Sequence, residues 1–183
     1  MSTQEEPRAP RSQTRKTAGD MVRSLAVVMV LVGILVVFNV AEQPDPVVRD
    51  IDYTGAVELA RQQAPYDVLA PDPLPDGWRA TSARTRPDGD GVTWHLGLVT
   101  ARESYAGLEQ SDTSDRRGFV DRFTSGATAA GAVDIGGRTW RRLEGGEPER
   151  RGLVRTDDGV VTVVAGGARW EELEQLAASL RGS

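Results

Sequence analysis

GLVRTDDGVVTVVA, residues 152–165, reads as two β-strands that meet at a turn of minimal length. The arms, 152–156 and 160–165, are rich in β-branched residues, and Asp157-Asp158-Gly159 separates them. Asp and Gly accept the positive φ of a tight hairpin turn, so the arms pair antiparallel. A parallel pair would need a crossover of a dozen or more residues. The hairpin thus excludes a Rossmann-like parallel sheet and points to an α+β domain, an antiparallel sheet with helices packed on it.

The same grammar extends outward. Upstream, 138–144 reads as a strand that joins 132–135 through Gly136-Gly137, after a Gly-rich loop over 126–131. Further back, 78–86 and 92–101 flank Pro87-Asp88-Gly89-Asp90-Gly91, a turn built from residues that tolerate positive φ, and 105–110 forms a third strand. Thr113 or Ser114 is the expected cap of a helix whose Phe119, Val120 and Phe123 share a face. Downstream, Trp170, Leu173, Leu176, Ala177 and Leu180 repeat at helical spacing as one buried stripe, with Glu171, Glu172 and Glu174 near the favourable end of the helix dipole. The pattern amounts to two strand-strand-strand-helix units, 78–124 and 138–181, too dissimilar in sequence to be a repeat. Before them, Thr54 is the expected cap of a helix over 55–64 that Pro65 stops, and 47–53 reads as a short strand.

The amino-terminal part is of a different kind. Residues 24–41, SLAVVMVLVGILVVFNVA, form an 18-residue run without a charge. At ~1.5 Å per residue a helix of this length approaches the ~30 Å hydrocarbon core of a bilayer. Its neighbours are a polar tail over 1–23, expected to be disordered, and a Pro-rich linker over 42–46, neither able to cover an all-round apolar helix. A cleaved signal peptide would have a shorter apolar region and small residues at its cleavage site, where Asn39 stands here. The expectation is therefore one retained transmembrane helix. Five cations precede it, and only Arg49 lies within the first residues after it. That bias places the amino terminus in the cytoplasm and the 47–183 domain outside, in a bacterial cell membrane.

Composition narrows the function. The 183 residues carry 22 basic and 27 acidic groups, net −5, and residues 42–183 alone net −7. Such a domain repels phosphate, so a nucleic-acid partner is not expected. There is no cysteine and a single histidine, which removes thiol chemistry and most zinc sites; no cofactor or metal is expected. A serine triad would have to use His95, no Gly-x-Ser-x-Gly elbow is present, and His95 reads as a hydrogen-bonded or solvent-facing strand residue. No catalytic set emerges, and the chain is not expected to be an enzyme. The segment most suggestive of a ligand or partner surface is 105–112. Alternation puts Ala106, Leu108 and Gln110 inward, so Gln110 needs buried hydrogen-bond partners, and puts Tyr105 and Glu109 together on the other face. Ser111 and Asp112 lead into a helix amino terminus, and Trp78, which reads first as a core residue, is the alternative candidate for an aromatic wall nearby.

A basic tail, one span, Leu-Pro-Asp-Gly-Trp at 74–78, Tyr-Ala-Gly-Leu-Glu-Gln-Ser-Asp at 105–112, Gly-Arg-Thr-Trp at 137–140 and the helix at 171–180 give the chain a family likeness. It resembles an actinobacterial family of uncharacterised single-span membrane proteins, catalogued as a domain of unknown function. The resemblance implies an envelope location and no assigned activity. The function expected is a membrane-anchored binding module for an envelope protein or a small ligand. The alternatives are a hydrolase using carboxylates or Ser/Thr, and a carrier of lipid or another hydrophobic ligand.

Overall fold

The computed structural model describes Leu25, Ala26, Val28, Met29 and residues 51–146 and 149–182. The chain divides into two units, Met1–Val47 and Val48–Ser183. In the first, the four described residues are helical, with exposed side chains. The rest of the expected span, 24–41, lies outside the described residues, as do the tail, the 42–46 linker and positions 47–50. Among the described residues no helix is long and apolar enough to cross a membrane.

The second unit is mixed α+β, with three helices and a mainly antiparallel sheet. Its elements are α1 (Thr54–Gln63), β1 (Ala70–Pro71), β2 (Arg79–Asp88), β3 (Gly91–Val99), β4 (Tyr105–Ser111), α2 (Arg116–Thr124), β5 (Thr128–Ile135), β6 (Arg138–Gly145), β7 (Arg150–Asp157), β8 (Val160–Gly166), α3 (Trp170–Ser179) and β9 (Leu180–Arg181). Seven strands form one sheet in the order β2-β3-β4-β8-β7-β6-β5, and β1 pairs with β9. Two meanders thus run outward and return, and β4 joins β8 at the centre. The second meander has four strands rather than three. Residues 128–131, expected as a loop, extend β5, because pairing with β6 supplies the hydrogen bonds that this Ala/Gly-rich segment has little propensity to seek alone.

The turns follow from their chemistry. Asp158 and Gly159, at φ 46° and 86°, turn β7 into β8, while Gly136 and Gly137, at 60° and 75°, turn β5 into β6. The helix starts differ from expectation. Asp52 accepts from the Thr54 amide, so Thr54 begins α1 rather than capping it; 51–53 is not a strand, and Ile51 makes one backbone bond to Ala80. Asp115, not Thr113 or Ser114, caps α2 by accepting from the Gly118 amide, since Asp90 binds the Thr113 hydroxyl and the Ser114 amide.

The sheet has a core on each face. On one, α1 and α3 bury Val57, Ala60, Leu173 and Leu176 against Trp94, Leu96, Leu108, Leu153 and Val164. Trp94 and Trp140 are buried here too, and the Trp94 indole N–H donates to the Leu69 carbonyl at 3.0 Å. Gln110 finds the partners its position demands: its Oε1 accepts from the Leu69 amide at 2.7 Å, and its Nε2 faces the Asp67 carbonyl and the Thr162 hydroxyl. Leu180 belongs to β9, past the end of α3, and is buried there. On the other face α2 lays Phe119 and Val120 over Val154, Val161 and Val163 of β7 and β8.

Candidate functional site

Helix α2 lies over β7 and β8 and reaches β4, and it leaves the same face of β2 and β3 open, without a helix over it. The β2–β3 hairpin fixes what stands there. Its register pairs Asp88 with Gly91, Arg84 with His95 and Ser82 with Gly97, so Ser82, Arg84 and Arg86 share the face of Thr93, His95 and Gly97. A bulge between Ala80 and Ser82 then reverses the alternation and turns Ala80 into the helix-covered core beside Leu98. Strand β4 pairs Glu109 with His95 and puts Tyr105, Gly107 and Ser111 on the open face.

Three of these side chains form a continuous relay. The Ser82 hydroxyl lies 2.8 Å from His95 Nε2, and His95 Nδ1 lies 2.5 Å from Glu109 Oε1. Gly97 makes this possible, because a Cβ there would collide with the Ser82 hydroxyl and stand 3.3 Å from His95 Nε2. Gly107 similarly leaves room for the Tyr105 ring, whose hydroxyl lies 2.9 Å from where a Gly107 Cβ would be. His95 and Glu109 are almost fully buried, Ser82 is half-buried, and Arg84 and Arg86 are exposed. Burial pushes the Glu109 carboxyl above its ordinary value, against the opposing pull of His95, Arg84 and Arg86. Its second oxygen, Oε2, is buried without a partner.

Protonation sets the direction of the relay. When Glu109 is ionised, His95 Nδ1–H donates to it, and Nε2 is left to accept the Ser82 proton. When Glu109 is neutral, its O–H donates to Nδ1, Nε2–H donates to Ser82, and the hydroxyl has no base.

The five residues singled out in the sequence part company here. Tyr105 keeps substantial exposure, 41%. Glu109, expected on a solvent-facing surface, is 3% exposed, because β4 lies between β3 and β8 and sets it beside both His95 and Val163. Trp78 is buried in the helix-covered core and walls nothing on the open face. Ser111 is buried and accepts from the Thr113 amide; Asp112 accepts from the Val92 amide. These two are structural ties, and the helix terminus after them is occupied by Asp115. Ser82 and His95 went unrecognised as partners, although the two-residue turn at Gly89-Asp90 fixes a register that puts both on one face.

Elsewhere, an open groove of about 500 Å³ runs beside α2, lined by Arg116, Asp121 and Arg141, and another of about 600 Å³ is lined by Asp67, Gln110, Arg138 and Arg155. Both carry charged walls. Among the described residues no three His, Cys, Asp or Glu side chains converge as metal ligands.

The family model described as "Protein of unknown function (DUF4245)" matches residues 13–180. No curated protein matches the chain. Among solved structures it is similar to one described as the crystal structure of MucB in complex with MucA(peri), at 15% identity and a TM-score of 0.34. That match covers 63% of this chain and 36% of the other, so the chain spans about a third of the protein it matches. A likeness so slight carries no argument about partner or function.

Proposed function

The chain belongs to the family described as Protein of unknown function (DUF4245), a description that assigns no activity, and we propose a function from the site itself. The protein is a membrane-anchored interaction module of the bacterial cell envelope, and it docks an acidic segment of a protein partner on the open face of β2–β4. The observation that carries this reading is the trio of Arg84, Arg86 and Tyr105. Both arginines are exposed and make no ion pair among the described residues, and the half-exposed Tyr105 ring is on the same face. Arg and Tyr are the residue types that concentrate at protein interfaces, and guanidinium groups match carboxylates in bidentate geometry. The uncharged run 24–41 and the cations before it support an anchor whose domain faces outward.

Chemical crosslinking in membranes, followed by capture of the full chain, tests the proposal. The captured partner should be lost, by at least tenfold, when Arg84 and Arg86 are both replaced by Ser, and its yield should fall as salt rises. A partner retained undiminished by the double variant would remove the open face from its binding site.

A further inference from the structure

The open face holds more than a docking surface. Ser82, His95 and Glu109 stand in the order hydroxyl, imidazole Nε2, imidazole Nδ1, carboxylate, at 2.8 Å and 2.5 Å. This is the geometry by which hydrolases of unrelated folds activate a serine, a constellation recognised by mutual placement rather than by sequence position. The absence of a Gly-x-Ser-x-Gly elbow therefore does not count against it. Cross-strand apolar pairs would close the face at lower desolvation cost. Gly97, opposite Ser82, leaves the hydroxyl its space over the sheet. Ser82 lies on the edge strand β2, half-buried, and so can be approached from the solvent side.

We propose that Ser82 is a nucleophile, with His95 as its general base and Glu109 as the positioning residue, that accepts acyl groups from esters laid on the open face. Ser82 Oγ attacks the ester carbonyl carbon as its proton passes to His95 Nε2. The carbon–oxygen bond to the alcohol then breaks, and the alcohol leaves with the proton from Nε2. Water attacks the acyl-serine, again giving a proton to Nε2, and the acid departs as the Ser82 hydroxyl is restored. Glu109 holds Nδ1–H and balances the imidazolium. Arg84, directly opposite His95 and next to Ser82 on the same strand face, supplies the positive charge for the tetrahedral oxyanion. With Arg84 and Arg86 following the serine along the same exposed strand face, the substrate class is an ester that carries an anionic group. This step goes beyond docking and does not require the partner.

The test is covalent capture. The purified full chain is incubated with a fluorophosphonate, which loses fluoride to an activated serine, and is then digested and mapped by mass spectrometry. The adduct should form on Ser82, disappear in Ser82→Ala, and form at least tenfold more slowly in His95→Gln and Glu109→Gln. Glu109→Asp should recover part of the rate. The rate in the unaltered protein should rise with pH as the relay takes the orientation in which Nε2 accepts. A relay that serves only to hold the strands together predicts no preference for Ser82 over Ser104 or Ser114, and that result overturns the proposal, as does labelling undiminished in a folded His95→Gln. Where a variant fails to fold, site selectivity in the unaltered chain decides alone. Loss of the adduct with partner capture intact would sink the nucleophile and leave the docking surface standing.

Discussion

Glu109 occupies a position where desolvation and pairing oppose each other. Its carboxyl is raised above its ordinary value of 4.5, chiefly by burial, with His95 on β3 and Arg84 and Arg86 on β2 pulling the other way. A raised folded-state value means that the native protein binds this proton more tightly than the unfolded chain does. Its contribution to stability is complete below about pH 4.5, the ordinary value, and is lost as pH rises through the raised value. Glu109→Gln does not titrate. Urea denaturation across a pH series should therefore show the stability of the parent protein, relative to the variant, declining from acid toward neutral pH. A flat or rising difference would mean that pairing, not burial, governs the carboxyl. His95 is the only histidine, so its ring nitrogen resonances are unambiguous by NMR. Ser82→Ala and Gly97→Ala should both move the Nε2 signal, the first by removing its partner and the second by displacing that partner. If Gly97→Ala leaves the signal in place, the hydroxyl does not depend on the missing Cβ. The sequence showed Glu109 beside Tyr105 on one strand face and His95 as a strand residue, but not their pairing, because a pair across two strands is visible only once register is known.

Helix α3 shows how much an element's own pattern can carry. Its stripe puts Leu173 and Leu176 at full burial against the sheet, and each Leu→Ala should destabilise by ~2–5 kcal/mol through lost transfer energy and the cavity left behind. Equilibrium unfolding checks this, and losses under ~1 kcal/mol would mean that the helix is not packed as described. At the helix start the Glu172 carboxylate accepts from the Arg169 amide at 3.0 Å, and the Arg142 guanidinium lies 4.9 Å from the Trp170 ring centre. Strand β8 predicts a second cost. A Cβ at Gly166 would run into the Tyr105 carbonyl, a backbone atom that cannot swing away. Gly166→Ala should therefore destabilise the β4–β8 junction and lower the melting temperature, whereas Gly55→Ala, whose Cβ meets nothing, should not. Where element boundaries differed from expectation, a distant residue had intervened. Asp90, from the β2–β3 turn, takes the groups that would have let Thr113 or Ser114 begin α2.

The two apolar clusters lie on opposite faces of one sheet and share its strands, so the second unit should unfold as a single cooperative structure. Leu108→Ala on one face and Val163→Ala on the other should each lower the same transition midpoint, seen alike by fluorescence and circular dichroism. Two separable transitions would show that the faces fold independently. For the chain as a whole, an alkaline phosphatase fused after Ser183 should be active outside the cytoplasm if the cation bias around residues 24–41 sets the orientation we propose; a signal confined to the cytoplasm would reverse it. The antiparallel sheet, its tight turns, the buried stripe of α3 and the inward side of β4 were all fixed by the chain's own pattern, because φ preference and the two periodicities act over a few residues. The tertiary structure alone decided that α2 covers only part of its face, that Ala80 turns inward, that Glu109 is sealed, and that Glu109 meets His95. Those outcomes depend on register and on which surfaces remain uncovered after every element has packed. A bulge of one residue reverses the facing of everything beyond it, and local sequence does not encode such parity.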